Sequence, residues 1–390
     1  MNKGLVWTVL LCFGIGYHIG ADPKEQPLDY CVEQVSKTAG GLHGYDRLPT
    51  SITKGGVNWT LGGYRDWRSG FWPGILWYVY EYTKNDDWRR KADSFSRQLT
   101  PLAFSRAMDH DLGFQLYCSF GNGFRLTGDT SYKRVLLAAA DTLATLFNPR
   151  VGTILSWPRN VQKYGGHNTI IDNMINLELL FWASKNGGSR RLYEIALQHA
   201  KTTMKNHFRP DYSSYHVVVY GATGRAIKKV THQGYSDSSM WARGQAWAIY
   251  GFTMAYRETR QAEFLAFAQK VAEVYLQRLP DDLVPYWDFN APGIPDEPRD
   301  VSAAAVTASA LIELSTFVTD RSKAAYYRET ARKMLASLSS EKYQSRTVNN
   351  ALLLHSTGHK PNNSEVDASI IYADYYYMEA LLRLKKQKEI

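Results

Sequence analysis

The 390-residue sequence predicts an all-α protein, a closed double-walled toroid of six helix pairs. Three observations support this fold class. Amphipathic helical segments alternate with aromatic, nearly uncharged segments. Successive amphipathic segments start roughly 60 residues apart. Only residues 215–220 are typical of a β-strand. Helix pairs of this kind bury their apolar faces by stacking on their neighbours. An open solenoid is the alternative, but it would leave one face of the uncharged helices in water.

The amphipathic segments are predicted to form the outer wall. Leu136, Ala140, Leu143 and Phe147 are spaced at intervals that place them on one stripe of a helix with 3.6 residues per turn. The segments around Phe264 and Tyr327 repeat this spacing. The predicted outer helices are 27–42, 87–107, 131–147, 190–206, 262–278 and 323–339.

The aromatic segments are predicted to form the inner wall, because a helix that is apolar nearly all round has to be buried. The predicted inner helices are 71–84, 112–126, 168–187, 240–258, 301–319 and 369–386. No Pro-, Gly- or Ser-rich linker divides the chain. Residues 22–390 are therefore interpreted as a single barrel-like catalytic domain.

The N-terminus is typical of an export signal. Lys3 is followed by an apolar run at residues 5–19, and Ala21 is a suitable cleavage point. Residues 1–21 are therefore predicted to be a signal peptide, and the mature protein is predicted to be periplasmic, without a membrane span. A lipid tether at Cys12 is an alternative. Cys31 and Cys118 fit a disulfide as well as two buried thiols.

Composition and charge exclude several classes of protein. With 46 Lys and Arg against 37 Asp and Glu, the net charge of +9 favours anionic partners. The basic residues are dispersed and match no nucleic-acid module, so no nucleic-acid partner is predicted. Phosphate-binding and zincin motifs are absent from the sequence. His355 and His359 are four residues apart, but Gly358 and Pro361 indicate a loop, so no metal or cofactor is predicted.

Polar residues recur where the inner helices begin. In a toroid whose inner helices run parallel, these starts meet at one end and line one funnel. An Asp at a helix start is often only a cap, and Asp300 and Asp367 are interpreted in that way. The polar and aromatic residues at or just before the helix starts are Trp67, His110, Asp111, Asp172, Gln233, Trp241 and Arg243.

Two aspartates at one funnel suit general acid/base chemistry on a glycoside. One carboxyl group must hold a proton near neutral pH while the other stays charged. Burial and mutual repulsion raise one pKa, whereas a helix N-terminus lowers it. These residues alone leave open whether Asp111 or Asp172 is the proton donor.

The motifs at these positions also form a wider pattern. They are Gly70-Phe71-Trp72 after Trp67, His110-Asp111-Leu112-Gly113-Phe114, Ile171-Asp172-Asn173, Thr231-His232-Gln233-Gly234, Trp241-Ala242-Arg243-Gly244-Gln245-Ala246-Trp247, Pro285-Tyr286-Trp287-Asp288-Phe289 and Tyr372-Ala373-Asp374-Tyr375-Tyr376. From about residue 60 to residue 385, the chain resembles the unsaturated glucuronyl hydrolases, glycoside hydrolase family 88. The resemblance implies an (α/α)6 barrel.

The resemblance also implies a reaction. The family removes the terminal 4,5-unsaturated uronic acid from lyase-generated glycosaminoglycan oligosaccharides by hydrating the C4=C5 enol ether. Asp172 matches the acid that protonates C4 and then activates water. Asp111 matches a second carboxylate that binds sugar hydroxyls and tunes its partner. The expected partner is thus a small anionic oligosaccharide, and the protein is expected to be a monomer or weak homo-oligomer.

The same resemblance assigns binding residues. Trp67, Trp157, Trp241 and Trp247 match walls of the sugar subsite, with core packing as the alternative for each. His110, His216, Gln233 and Arg243 match residues that contact the sugar, its carboxylate or the water. Arg243 is expected to be the carboxylate partner, because a guanidinium binds a carboxylate through two hydrogen bonds. Segment 355–360 keeps Ser356 and a basic pair but not the family spacing, which leaves sulfate preference open.

Three alternatives remain at this point. The first is a hydrolase of the same fold that removes unsaturated galacturonyl groups from rhamnogalacturonan. The second is a sugar-binding toroid without catalysis, and the third is an ordinary inverting glycosidase.

Overall fold

The (α/α)6 barrel is present in a computed structural model that describes residues 26–388. Each inner helix packs against the next, and the last inner helix packs against the first. The closed toroid predicted from the periodicity is therefore confirmed, and the open solenoid is excluded. The predicted signal segment 1–21, including Cys12, lies outside the described residues.

The outer wall is amphipathic. It consists of α1 (Pro27–Gly40), α3 (Asp86–Arg97), α6 (Thr130–Ala144), α9 (Arg190–Asn206), α11 (Ala262–Leu276) and α13 (Arg321–Leu338). The stripe predicted from residue spacing is the buried face, since Leu136, Ala140 and Leu143 of α6 are fully buried. The predicted helix 87–107 is divided, because the short helix α4 (Thr100–Ala103) forms separately after α3.

The inner wall carries the largest buried side chains, among them Trp72, Trp77 and Tyr376. It consists of α2 (Phe71–Thr83), a π-helix (Gly113–Gly121) that continues into α5 (Asn122–Thr127), α8 (Asn173–Lys185), α10 (Ala242–Thr259), α12 (Val301–Ser315) and α14 (Ile371–Lys388). The second inner helix was predicted to be regular. The π-helical half could not be predicted, because a segment that is apolar on all sides shows no hydrophobic periodicity from which the helix type can be inferred.

Side-chain capping varies within both walls: the inner helix α12 is capped by Asp300, whereas the outer helices α1 and α11 have no side-chain cap. The starts of α3, α6, α9 and α13 are capped by the side chains of Asn85, Asp129, Ser189 and Asp320, which accept backbone hydrogen bonds. In contrast, no side chain caps α2, α8 or α10. Polar side chains at these inner starts are therefore left for other contacts.

Short strands fill the connections above the inner helices. They are β1 (Leu48–Ile52), β2 (Thr60–Gly62), β3 (Phe147–Asn148), β4 (Thr153–Ile154), β5 (His167–Ile170), β6 (Val217–Tyr220), β7 (Ala226–Val230) and β8 (Ser369–Ile370). They pair antiparallel in the orders β2-β1-β8, β3-β4 and β5-β6-β7. Of these, only β6 was predicted. The segment predicted as helix 168–187 instead begins within β5, and α8 starts later. The short helix α7 (Val161–Tyr164) precedes β5.

One hydrophobic core extends between the two walls, from Leu28 to Leu382. Cys31 in α1 and Cys118 in the π-helix are both buried, and no disulfide joins them. Within residues 26–388, none of the helices combines the length and apolar character needed to cross a bilayer. The same part of the chain holds no cluster of three His, Cys, Asp or Glu side chains arranged for a metal ion.

Candidate active site

A cavity of about 220 Å³ lies where the inner helices begin. Asp111 and Asp172 both line it, which is the arrangement that the sequence predicts. The other predicted site residues in the lining are Trp67, His110, Trp157, Gln233 and Arg243. The two carboxyl groups, distant along the chain, therefore share one chamber.

Local structure places Asp172 at the floor of this cavity. The residue occupies the N-cap position of α8 but makes no capping hydrogen bond, so its carboxyl group is not used by the helix. Strand β5 leads into it and pairs with β6, and the Ile171 amide donates to the His216 carbonyl at 3.0 Å. This pairing brings Nε2 of His216 to 3.6 Å from Oδ2 of Asp172.

The surroundings of Asp172 favour its protonated form. Burial raises the pKa of Asp172 to about 7, opposed by the charge of Arg243, the residue's own backbone amide and the Trp247 side chain. Oδ2 of Asp172 and Nε2 of His216 are buried and have no hydrogen-bond partner among the described residues. Because buried polar atoms are usually paired, these two atoms mark a place where a substrate or water atom can bind.

Asp111 has a parallel arrangement. Burial raises the pKa of Asp111 well above its usual range, and the charges of Asp109 and Asp172 raise it further. Nε2 of His110 lies 3.4 Å from Oδ1 of Asp111. Burial also lowers the pKa of His110 to about 4, so this ring is neutral at pH 7. The surroundings of Asp111 therefore favour its protonated form, and Asp172 titrates near pH 7.

The chain matches one known protein family over most of its length. The model of the family described as Glycosyl Hydrolase Family 88 matches residues 50–386. The chain belongs to this family. As a member of glycosyl hydrolase family 88, it is a glycoside hydrolase.

Individual relatives agree with the family match. The chain is 46% identical over 325 residues to the unsaturated glucuronyl hydrolase of Formosa agariphila, covering 82% of this chain and 80% of that protein. It is similar to the crystal structure of an unsaturated glucuronyl hydrolase specific for heparin, with a TM-score of 0.87, 41% identity and coverage of 93% and 97% of the two chains. It also resembles an aspartate-to-asparagine variant of the Streptococcus agalactiae unsaturated glucuronyl hydrolase complexed with dGlcA-GalNAc6S, with a TM-score of 0.80, 30% identity and coverage of 93% and 91%.

Arg243 donates hydrogen bonds to protein groups, although it was predicted to bind the substrate carboxylate. Its Nη1 donates to Oδ2 of Asp300 at 2.5 Å and to the Thr357 carbonyl at 2.6 Å, and its Nη2 donates to the Gly358 carbonyl at 2.6 Å. Protein groups therefore occupy the outer fork of the guanidinium that was expected to bind the substrate carboxylate. Asp300 also accepts from the Ser302 amide, which confirms its predicted capping role.

Three predicted contact residues, Trp241, Trp247 and His216, are not among the residues that line the cavity. Trp247 is buried against Phe114, and a hydrogen bond from its side chain lowers the pKa of Asp172. Trp241 stacks on His216 with ring centroids 4.3 Å apart, and the Arg243 guanidinium lies over its ring at 4.6 Å. These three residues pack beside Asp172 and Arg243, and the prediction that they contact the sugar or the water stays a prediction.

The capping role predicted for Asp367 is wrong. Its Oδ1 lies 2.5 Å from Nδ1 of His355 and its Oδ2 lies 2.9 Å from Nζ of Lys54. Strand β8 separates it from the start of α14.

Several cavity residues were not predicted. They are Arg159, Asn160, Ile170, His232, His359, Glu365 and Tyr372. His232 and Tyr372 lie inside the sequence motifs described above, so membership of those motifs could have identified them as cavity residues. Arg159 and Asn160 lie in a connection whose path the sequence does not indicate. Gln233 is only partly available, since its Nε2 donates to the Gly358 carbonyl at 2.9 Å.

A larger cavity, about 330 Å³, lies at the opposite end of the barrel. Its charged side chains are paired with one another: Arg257 binds Glu178 and Glu313, and Arg383 binds Glu313 and lies 3.4 Å from Glu379. Tyr78 and Tyr250 also donate to Glu379 at 3.1 Å. Because its acids already have partners, this cavity is a poorer candidate for acid catalysis.

Proposed function

We propose that this chain is an unsaturated glucuronyl hydrolase, which hydrates the C4=C5 double bond of a terminal unsaturated uronic acid in a glycosaminoglycan fragment. The observation that carries the proposal is the pair Asp111 and Asp172 in one cavity, with the pKa of Asp172 raised to about 7. The names of the relatives support the substrate class.

The first step is proton transfer to carbon. An enol ether is electron-rich at C4, so the protonated carboxyl group of Asp172 donates its proton there, and positive charge develops at C5 and the ring oxygen. The pKa of Asp172, about 7, suits a group that must give up a proton and take one back within one turnover. The carboxylate formed also stabilises the adjacent cation.

The second step is addition of water. Ionised Asp172 accepts a proton from water as its oxygen bonds to C5, and the unpartnered Nε2 of His216 lies 3.6 Å from the same carboxyl oxygen. The product is a hemiketal at C5. Its bond between C5 and the ring oxygen breaks to give a ketone, and C1 then releases the rest of the saccharide as an alcohol. One water is consumed, and no covalent enzyme intermediate forms.

Asp111 and the aromatic residues hold the sugar. The raised pKa of Asp111 favours its protonated form, which offers both a donor and an acceptor to the sugar hydroxyls and places no second negative charge beside Asp172. The rings of Trp67 and Tyr372 lie 5.2 Å apart at the cavity wall and offer apolar faces to the sugar ring. Arg243 acts through its charge, which limits the rise in the pKa of Asp172.

A panel of unsaturated disaccharides tests this proposal. The conjugated double bond absorbs ultraviolet light, so hydration is followed as loss of absorbance. Glucuronyl disaccharides from heparin, chondroitin and hyaluronan are compared with an unsaturated galacturonyl disaccharide from rhamnogalacturonan and with saturated analogues. We expect turnover of at least one glycosaminoglycan disaccharide and none of the saturated ones. Turnover confined to the galacturonyl substrate, or binding without loss of absorbance, would contradict the proposal.

The net charge of +9 supports an anionic substrate, since it attracts fragments that carry carboxylate or sulfate groups. The apolar run after Lys3 and the candidate cleavage site at Ala21 support export to the periplasm. Cell fractionation and N-terminal sequencing of the mature protein test the export proposal. Retention of residues 1–21 on a cytoplasmic protein would refute it, and light scattering would report whether the protein is monomeric.

A further inference from the structure

Asn176 links the two helices that carry the catalytic carboxyl groups. It lies on α8, four residues after Asp172, and is fully buried. Its Oδ1 accepts a hydrogen bond from the Phe114 amide at 2.8 Å, in the first turn of the π-helix, and its Nδ2 lies 3.1 Å from Nδ1 of His110. One side chain thus bridges α8 to the segment that carries His110 and Asp111.

The chemistry of these contacts fixes their direction. A backbone amide can only donate, so the atom of Asn176 facing Phe114 has to be the carbonyl oxygen. The atom facing His110 is then the amide nitrogen, which can only donate. Nδ1 of His110 therefore accepts, and the single proton of the neutral ring sits on Nε2, the atom 3.4 Å from Oδ1 of Asp111.

The packing around Asn176 leaves it little freedom. A Cβ atom added at Gly113 would lie 2.5 Å from Oδ1 and 2.6 Å from Cα of Asn176, closer than packed atoms approach. Glycine at position 113 is therefore needed for α8 and the π-helix to approach this closely. The side chain of Asn176 therefore has little room to move, and its hydrogen bond holds the His110 ring in one orientation.

We propose that Asn176 is a positioning residue that keeps His110 in its Nε2–H tautomer, so that this ring donates toward Oδ1 of Asp111. Asn176 thereby fixes Oδ1 as the oxygen of Asp111 that faces the His110 donor and leaves Oδ2 for other contacts. This inference rests on the proposed function only for its catalytic consequence, since the tautomer is a property of the protein without substrate.

The tautomer can be measured directly. In protein with ¹⁵N-labelled histidine, the two ring nitrogens of each residue have chemical shifts that distinguish a protonated from an unprotonated nitrogen, and a His110→Gln variant assigns the His110 signals by their loss. At pH 7 we expect His110 to be protonated on Nε2 alone. Protonation on Nδ1 would overturn the proposal, and this measurement on the unmodified chain needs no mutant of Asn176 to fold.

The variant Asn176→Asp tests the catalytic consequence. Aspartate can still accept from the Phe114 amide, but it presents an acceptor to Nδ1 of His110, which must then carry a proton. We expect kcat/KM to fall by about 10- to 100-fold, since small misplacement of a catalytic group has effects of that size, and the pH profile of kcat/KM to shift. A merely structural role would lower the melting temperature without shifting that profile.

The matched control is Asn122→Asp, which makes the same change at another buried amide of the inner wall. Nδ2 of Asn122 donates to the Cys118 carbonyl at 2.9 Å and to the Tyr375 hydroxyl at 3.1 Å, far from His110. We expect its pH profile to superimpose on that of the unmodified enzyme. A folded Asn176→Asp protein with unchanged kcat/KM and profile would refute the proposal. If instead the unmodified chain consumes no unsaturated disaccharide, the proposed function fails while the tautomer measurement still decides the role of Asn176.

Discussion

The pH dependence of kcat/KM is the most direct consequence of the protonation state of Asp172 in the free enzyme. A proton donor works only while it holds its proton, and burial raises the pKa of this carboxyl group to about 7. Activity should therefore fall as the pH rises above 7. The perturbation that tests this assignment is Asp172→Asn, which keeps the shape of the side chain and removes its acidic proton.

The expected magnitudes follow from that pKa. A group with a pKa of about 7 is roughly 90% protonated at pH 6 and roughly 10% protonated at pH 8, so kcat/KM should fall about tenfold between these values. A further fall of about tenfold is expected by pH 9. For Asp172→Asn, loss of general acid catalysis predicts a decrease of about 100- to 10,000-fold. Substrate binding should remain measurable, since the cavity walls are unchanged.

The assay is loss of ultraviolet absorbance of an unsaturated disaccharide at a concentration well below KM, which reports kcat/KM, with calorimetry for binding. Asp374 offers a matched control, because it is also a buried aspartate in the first turn of an inner helix and does not line the cavity. Folded Asp374→Asn should keep the decline of kcat/KM between pH 6 and pH 9. If kcat/KM is flat over this range, or if Asp172→Asn keeps near-normal turnover, Asp172 is not the acid.

The remaining predictions concern three other buried groups. Asp111→Asn should reduce kcat/KM at least about 100-fold. Any residual activity should still decline as the pH rises through 7, because Asp172 still titrates. Loss of that decline would assign the titration to Asp111. Asp300→Asn leaves the Arg243 guanidinium buried without its ion-pair partner and should lower the free energy of unfolding by about 3–5 kcal/mol in urea denaturation; a change below about 1 kcal/mol would contradict the stabilising role of the pair. Burial lowers the pKa of His207 to about 4, so its contribution to stability is complete above about pH 6.5 and is lost as the pH falls toward 4. Relative to His207→Gln, the unmodified protein should therefore lose about 2 kcal/mol of stability between pH 7 and pH 5, and parallel stability curves for the two proteins would contradict this reasoning.

Much of the fold could be predicted because periodicity reports burial. The stripe of Leu136, Ala140 and Leu143 identifies an outer helix, since only one side of that helix is dry. The uncharged segments identify inner helices for the complementary reason. The π-helix at Gly113–Gly121 and the two- to five-residue strands could not be predicted, because short or uniformly apolar segments lack a distinguishing period.

The site was predicted where its residues lie at the starts of inner helices. His110, Asp111 and Asp172 are brought together by parallel helices, so their convergence follows from the toroid itself. Trp241 and Trp247 are predicted to contact the sugar but are not among the residues that line the cavity, since sequence position along a helix start does not fix the direction of a large side chain. Arg159 was missed because a connection between helices has no regular geometry.

By itself, the sequence determined the closed double wall and the two aspartates at one of its ends, because apolar spacing and helix polarity are encoded locally. Only the tertiary structure decided the state of those aspartates. Whether Asp172 titrates near 7, whether Arg243 is held by Asp300 and which nitrogen of His110 bears the proton all depend on distances between segments far apart in the chain. Electrostatic interaction and desolvation act through space, so these properties exist only once the barrel has closed.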